Sequence, residues 1–254
     1  MKSWLVVRLF FFSAQFCFLC TAVADEKIDR IENLFLGFDR GKQPGVAVLV
    51  MQGEQVFYAK GFGYADLEKE IKIDTHSMFR LASVSKQFTT MAIMRLAEAG
   101  HLAYDDMLAD HVPQLNHWPG VTIRHLMNHT SGVPDYYELG HYTDFLERYD
   151  ETITMPQNSN LIGIMSNYIN ASFEPGEQYE YNNAAYELLT LVVESVSGST
   201  FKTFVEEDVF EPAGMATATV FNTANGAFAN RVLGYSPTED GFAANDFDPF
   251  NDML

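Results

Sequence analysis

Ser83 and Lys86 are the two side chains whose types and spacing point most directly to chemistry. They lie in the stretch Met78–Gly100, which the pattern predicts to be a short extended segment followed by a helix. Residues i and i+3 share one face of a helix, so the amine can reach the hydroxyl one turn earlier. A serine needs such a proton acceptor to become a nucleophile. The spacing therefore predicts a nucleophilic serine with lysine as its proton partner.

The Ser-x-x-Lys pattern is short, and it occurs a second time at Ser199–Lys202. This second copy follows Gly198 and lies between two predicted helices, where serine and threonine are typical helix N-caps. The first copy instead lies between a predicted strand hairpin and a strongly apolar helix. We therefore interpret the second copy as a helix start and assign the chemistry to Ser83 and Lys86.

Tyr181 and Asn183 follow the turn 173–176 and form a second polar group. A phenol close to an ammonium group loses its proton more readily, and it can relay a proton between a serine and a leaving group. Asn183 has two possible roles, which are binding a substrate amide and holding Lys86. A Tyr-Asn pair after a turn is also typical of a helix N-cap, so this interpretation depends on the first motif.

A histidine pair offers an alternative chemistry. His125 and His129 have the i, i+4 spacing of metal ligands on a helix. No glutamate follows His125, as a metalloprotease helix requires, and no third ligand is evident. We predict no metal site, and we expect both histidines to stabilise the helix end and the turn 130–132. The sequence also has no phosphate-binding loop and no Gly-x-Ser-x-Gly elbow, so no cofactor is predicted.

Two predicted strands precede the serine. Val46–Met51 and Gln55–Tyr64, separated by a turn at Gly53, predict a hairpin. The helix after Ser83 is apolar on nearly all sides, which predicts that it lies in the core. Strand-like segments return at Thr217–Phe221 and Arg231–Tyr235. Helical spacing is found in six further segments: 25–40, Val121–Asn128, His141–Tyr149, Asn158–Asn170, Asn183–Val196 and Thr200–Phe210.

Composition narrows the class of protein. The 254 residues are 47% hydrophobic and 14% aromatic, which is enough for a packed core. The formal net charge is −18. A surface this acidic repels nucleic acid and anionic lipid, so neither is a predicted partner.

Residues 1–24 have the pattern of a secretory signal peptide. Basic residues precede the apolar run Leu9–Leu19, and Ala22–Ala24 fits a cleavage site. The run is too short and interrupted to span a membrane comfortably. Both cysteines, Cys17 and Cys20, lie inside residues 1–24, and the residues before Cys20 fit a lipid attachment site poorly. We expect a bacterial periplasmic or secreted protein with no disulfide and no membrane span after cleavage.

Taken in order, these motifs resemble the serine β-lactamase and D-alanyl-D-alanine carboxypeptidase superfamily, in the class C-like branch that includes related esterases. The likeness covers residues 41–235. It implies an α+β fold, in which an antiparallel sheet flanked by helices (25–100 and 216–254) carries an inserted all-helical region (101–215). The matching segments are Phe79–Thr89, His125–Asp135, Phe173–Gly176, Tyr181–Asn183 and Glu211–Met215.

The resemblance also implies roles. Ser83 is the nucleophile that becomes acylated, Lys86 its proton partner, Tyr181 the base or proton relay, and Asn183 a substrate-binding member of the cluster. No metal and no cofactor are implied. The implied substrates are D-alanyl peptides of peptidoglycan, β-lactams and small esters, and the oligomeric state stays open. The alternative is a non-catalytic relative that binds cell-wall peptide-like ligands.

One family motif is not found in this sequence. The family carries a Lys-x-Gly or His-x-Gly on a later strand, which also supplies one N–H of the oxyanion hole. From the resemblance we expect a chain truncated at its C-terminal end, without the later strands and the last helix. Loss of one oxyanion donor costs about 10²–10³ in turnover. An open sheet edge also lowers stability, so we expect weak activity or none and low stability.

Overall fold

The structure is a computed structural model, and it describes residues 26–135, 158–221 and 230–245. The predicted signal peptide (1–24) and the predicted helix His141–Tyr149 lie outside these residues. The described part combines α-helices with antiparallel strands, which confirms the predicted α+β class. It forms two compact units, one up to Arg80 together with 230–245 and one from Leu81 to 221. The predicted division into a sheet-containing part and the helical region 101–215 stays a prediction.

The elements are numbered here in chain order. The helices are α1 (26–35), α2 (Lys86–Glu98), α3 (Leu108–His111), α4 (Ile123–Met127), α5 (Asn158–Met165), α6 (Asn183–Ser197) and α7 (Phe201–Val205). The strands are β1 (Val46–Gln52), β2 (Gln55–Phe62), β3 (Tyr64–Asp66), β4 (Ile71–Lys72), β5 (Tyr235–Thr238) and β6 (Gly241–Ala244). Short 3-10 helices cover Leu36–Asp39, Ala82–Ser85 and Pro113–Leu115, and a π-helical turn covers Glu206–Phe210.

The predicted hairpin is present in the first unit. β1 and β2 pair antiparallel from Val46 opposite Phe62 to Gln52 opposite Gln55. The second strand ends two residues earlier than predicted, because Gly63 has a φ of +73° and breaks the extended chain. The chain resumes as β3, which pairs antiparallel with β4.

The first helix is shorter than its sequence pattern suggests. α1 ends at 35, and the 3-10 helix Leu36–Asp39 completes the predicted segment 25–40. Phe35 packs on Phe62 of β2 with ring centroids 5.6 Å apart. Leu34 of the same helix is 77% exposed. One side of this helix therefore packs on the hairpin through its aromatic residue.

Of the two strands predicted near the end of the chain, one is displaced and one is wrong. Arg231 forms only an isolated bridge with Met78, and the regular strand begins at Tyr235. Residues 217–221 are irregular. Val220 is bonded to side chains instead of a strand, because its N–H donates to Glu206 at 3.1 Å and its carbonyl accepts from Lys202 at 3.0 Å.

The core of the second unit is built around α6. Residues 184–193 of this helix are all buried, and it packs against α2, α4, α5 and α7. α2 lies against it along one face. The prediction that α2 is buried on nearly all sides is wrong, because Met91 and Met94 are 41% and 43% exposed. The buried residues of α2 follow one stripe at 86, 89, 92, 93 and 96, which is the spacing of a helix with a single packed face.

Candidate active site

Ser83 lies at the surface where the chain enters α2. Ala82, the residue before it, has a φ of +47°, which non-glycine residues rarely adopt. The 3-10 helix Ala82–Ser85 then leads directly into α2 at Lys86. Strained backbone of this kind persists only where the surroundings enforce it. The result is an exposed hydroxyl on the rigid first turn of a packed helix.

Lys86 lies on the buried stripe of α2 and is only 7% exposed. Its Nζ donates to Ser83 Oγ at 3.3 Å and to Asn183 Oδ1 at 2.8 Å. A buried ammonium group needs such partners, because removing it from water is costly. The predicted contact between amine and hydroxyl is therefore present. Of the two roles predicted for Asn183, holding Lys86 is the one that corresponds to an observed contact.

Tyr181 completes the group around the serine. Its hydroxyl donates to Ser83 Oγ at 2.7 Å. The Lys86 Nζ lies 5.0 Å from the centroid of the Tyr181 ring. The structure thus brings the amine of Lys86 and the hydroxyl of Tyr181 to the same oxygen atom of Ser83, although Tyr181 lies in a distant segment of the chain. Tyr181 is 40% exposed, so the group is open to a ligand.

The start of α6 fixes Asn183. Asn182 is the N-cap of this helix, because its Oδ1 accepts the N–H of Ala185 at 2.7 Å. The Asn182 amide group also donates to the carbonyl of Val133. The N–H of Asn183 donates to Asp135 Oδ2 at 2.7 Å. A carboxylate at a helix N-terminus also interacts favourably with the helix dipole.

Asp135 is a residue whose role the sequence reasoning missed. It stands in a segment that matches the family, but no local pattern connects it with residue 183. Its side chain is buried, with 7% of the residue exposed. Only the packing of the 130–135 turn against the start of α6 shows that it anchors the backbone beside Lys86.

The two histidines of the predicted pair have structural roles, and His129 has one contact that was not predicted. His125 stabilises the start of α4, where its N–H donates to Thr122 Oγ1 at 3.2 Å. His129 follows the end of that helix, where its N–H donates to the carbonyl of Leu126 at 3.3 Å, and its Nδ1 in addition accepts the N–H of Asn182 at 3.1 Å. Burial, and then the charge of Lys86, hold the pKa of His129 below its usual value. The ring therefore favours the neutral form, which can accept this hydrogen bond.

Backbone hydrogen bonds position the segment that leads to Tyr181. Ser172 N–H donates to the carbonyl of Gly132 at 2.7 Å, and Gly176 N–H donates to that of Thr130 at 2.8 Å. Gly132 has a φ of +70°, and a Cβ atom there would lie 2.0 Å from the carbonyl oxygen of Phe173. The two segments can approach this closely only because residue 132 has no side chain.

The sequence also raised a second Ser-x-x-Lys copy and a possible metal site. Thr200 is the N-cap of α7 and accepts the N–H of Thr203 at 3.1 Å, which confirms the second Ser-x-x-Lys copy as a helix start. Lys202 of that copy pairs with Glu206. Within 26–135, 158–221 and 230–245, no group of three or more His, Cys, Asp or Glu side chains could hold a metal ion.

Comparisons with known proteins agree with this geometry. The family model described as Beta-lactamase matches residues 28–251. Penicillin-binding protein 4* of Bacillus subtilis (strain 168) is 36% identical over 197 residues, which cover 77% of this chain and 42% of that protein. The chain therefore spans less than half the length of this relative.

Two solved structures show the same fold. The penicillin binding protein from Bacillus halodurans has 35% identity and a TM-score of 0.68, over 80% of this chain and 60% of that one. EstCE1, described as a hydrolase with promiscuous acyltransferase activity, has 25% identity and a TM-score of 0.73, over 89% and 60%. The resemblance seen in the motifs therefore extends to the tertiary structure.

Proposed function

Because this chain belongs to the beta-lactamase family, we propose that it is a serine hydrolase that cleaves amide or ester bonds through an acyl-enzyme. One observation carries the proposal: Tyr181 and Lys86 both lie within hydrogen-bond distance of Ser83 Oγ, at 2.7 and 3.3 Å. A hydroxyl with two proton-transfer groups on one oxygen is the arrangement that nucleophilic catalysis needs.

In the first step, Ser83 Oγ attacks the substrate carbonyl and forms a new C–O bond. Its proton passes to the Lys86–Tyr181 pair, in which one member is deprotonated in the reactive state. The bond to the leaving group then breaks, and the leaving amine or alcohol takes that proton. In the second step, water gives a proton to the same pair and attacks the acyl carbon. The bond between that carbon and Ser83 Oγ then breaks, Oγ takes the proton back from the pair, and the acid is released.

The surroundings of Lys86 support this chemistry. The side chain is buried, and Asn183 Oδ1 orients its ammonium group toward Ser83. A positive charge in this position stabilises negative charge that develops on the reacting oxygens. The backbone N–H of Ser83 supplies one donor of the oxyanion hole, as in the family. Among the described residues, the Nδ2 of Asn183 has no protein partner, so it can donate to a substrate carbonyl.

The proposed substrates are D-alanyl peptides of peptidoglycan, β-lactams and small esters. All three present a carbonyl carbon with a leaving group to Ser83, and the relatives named above include penicillin-binding proteins and a hydrolase. The competing proposal is a non-catalytic relative that binds cell-wall peptide-like ligands.

A labelling experiment distinguishes these proposals. The protein is incubated with a fluorescent penicillin and, separately, with a fluorophosphonate probe, and the modified residue is located by mass spectrometry. A serine hydrolase is labelled on Ser83, and Ser83→Ala abolishes the label. Ser199→Ala, in the second copy of the pattern, is the matched control and retains it. A folded protein that is not labelled by either probe supports the binding protein.

We also propose that the protein is exported through residues 1–24. The support is the sequence pattern alone, since these residues lie outside the described part. In that part, no helix is long and apolar enough to cross a membrane. The intact mass of the protein recovered outside the cytoplasm tests the proposal, which requires Asp25 as the first residue.

A further inference from the structure

We propose that His129 is a positioning residue that keeps Tyr181 on Ser83 only while its imidazole ring is uncharged. The inference rests on the proposed function, in which Tyr181 transfers the proton of Ser83. His129 does not touch Ser83. It contacts the backbone and the ring of Tyr181, and Tyr181 is the residue that bonds Ser83.

The first contact is a hydrogen bond with a fixed direction. The N–H of Asn182 donates to Nδ1 of His129 at 3.1 Å. Asn182 directly follows Tyr181, so this bond fixes the peptide group that joins the two residues. Nδ1 can accept only as a lone pair, which requires a neutral ring with its proton on Nε2. Protonation would place an N–H on Nδ1, facing the N–H of Asn182.

Two further contacts hold the same segment. The carbonyl of His129 accepts the N–H of Glu180 at 2.9 Å. The His129 ring lies 4.6 Å from the Tyr181 ring and 5.0 Å from the Tyr186 ring, between centroids. His129 therefore contacts three consecutive residues, 180–182, and the middle one carries the reactive hydroxyl. Its backbone has a φ of +58°, which is uncommon for a residue other than glycine.

The groups around the ring disfavour its charged form. Lys86 on α2 is the cation that faces it, and the phenols of Tyr179, Tyr181 and Tyr186 contribute rings but no charge in their protonated state. Burial and the charge of Lys86 lower the pKa of His129. As the pH falls through that pKa, the ring becomes charged and releases the N–H of Asn182. The rate of acylation of Ser83 should therefore fall over the same pH range.

Variants separate this role from simple packing. In His129→Asn, Oδ1 can accept the N–H of Asn182 near the position of Nδ1, and asparagine tolerates a positive φ. It cannot titrate in this range. His129→Ala removes the acceptor and the ring. His101→Asn is the matched control, since His101 is an exposed histidine of the same unit.

The measurement is the rate at which a fluorescent penicillin or fluorophosphonate labels Ser83 between pH 4.5 and 8. We expect His129→Ala to label about tenfold more slowly at neutral pH, as for loss of one hydrogen bond. We expect His129→Asn to keep most of the rate and to shift the acidic limb of the profile to lower pH. His101→Asn should follow the original protein. An acidic limb that is the same in His129→Asn as in the original protein overturns the inference.

A second measurement does not depend on turnover. In the unsubstituted protein, the amide resonance of Asn182 should titrate together with the ring of His129 by NMR. An Asn182 amide that does not respond to this titration overturns the inference, even if His129→Ala unfolds. Failure of the unsubstituted protein to label would instead contradict the proposed function, so the two failures are distinguishable.

Discussion

The carboxylate of Asp135 accepts the backbone N–H of Asn183 at 2.7 Å, at the first turn of the helix that holds Lys86 in place. Asp135→Ala should remove a charge-assisted bond and leave the partly buried N–H of Asn183 without this partner. We expect a loss of about 1–3 kcal/mol in the free energy of unfolding. Urea denaturation followed by fluorescence measures it. Asp135→Asn keeps an acceptor oxygen and should lose less, and an equal loss in both variants would contradict this account.

Tyr181→Phe removes one hydroxyl and leaves the ring that packs beside His129. If the hydroxyl transfers a proton of Ser83, labelling of Ser83 should slow by about 10²–10⁴-fold, the range for general acid–base groups. Thermal unfolding should change little, because the residue is 40% exposed. Tyr179→Phe is the control, since Tyr179 lies on the same segment and is 67% exposed. Equal labelling rates for the two variants would exclude the proton-transfer role.

Lys86→Met should slow labelling by at least about 10²-fold, because the proton partner of Ser83 is lost. The buried position accepts an apolar side chain of similar length, so the protein should remain folded. Lys202→Met is the comparison in the second copy of the pattern. It should keep its labelling rate and lose stability, since Lys202 pairs with Glu206 and bonds Thr219. The prediction fails if Lys86→Met labels as fast as Lys202→Met.

Gly132→Ala should strongly destabilise the second unit. The new Cβ would lie 2.0 Å from the carbonyl oxygen of Phe173, and the φ of +70° is unfavourable for alanine. We expect a loss of more than about 2 kcal/mol in the free energy of unfolding, because both strain and lost backbone bonds contribute. Gly163→Ala is the control. It lies in α5, where no described atom beyond its own stretch of helix lies within 4 Å of the new Cβ, and the change should be neutral or stabilising.

The stability of the protein should depend on pH through His129. Its folded-state pKa is lowered from the usual 6.5. Above pH 6.5 both the folded and the unfolded forms are neutral, so the full stability is present. Below it, the unfolded state binds the proton first, and stability falls until the folded-state pKa is reached. Thermal unfolding between pH 4.5 and 7.5 should show this fall, and His129→Asn should reduce it. An unchanged pH dependence in His129→Asn would show that another group is responsible.

Local patterns were sufficient where a single element decides the outcome. Ser83 and Lys86 are one helical turn apart, so their contact follows from helix geometry. The β1–β2 hairpin and the helix start at Thr200 follow from turn and capping residues in the same way. The predictions for Thr217–Phe221 and for the burial of Met91 and Met94 were wrong for a related reason. Strand propensity did not decide the conformation of 217–221, because hydrogen bonds with Lys202 and Glu206 hold Val220 there. Apolarity did not decide the burial of α2, because only one of its faces packs against the core.

The amino-acid sequence was enough to predict the pair Ser83–Lys86 from helix geometry and, through its resemblance to a known family, the α+β class, because residue spacing and motif order can be read directly along the chain. The tertiary structure alone decided that Tyr181 lies 2.7 Å from Ser83 and that Asp135 and His129 hold the segment 181–183. These partners are separated by about fifty or more residues, and no short-range pattern specifies which of many possible polar groups will meet. Packing around α6 brings them together, since a buried donor or acceptor must find a partner within the fold.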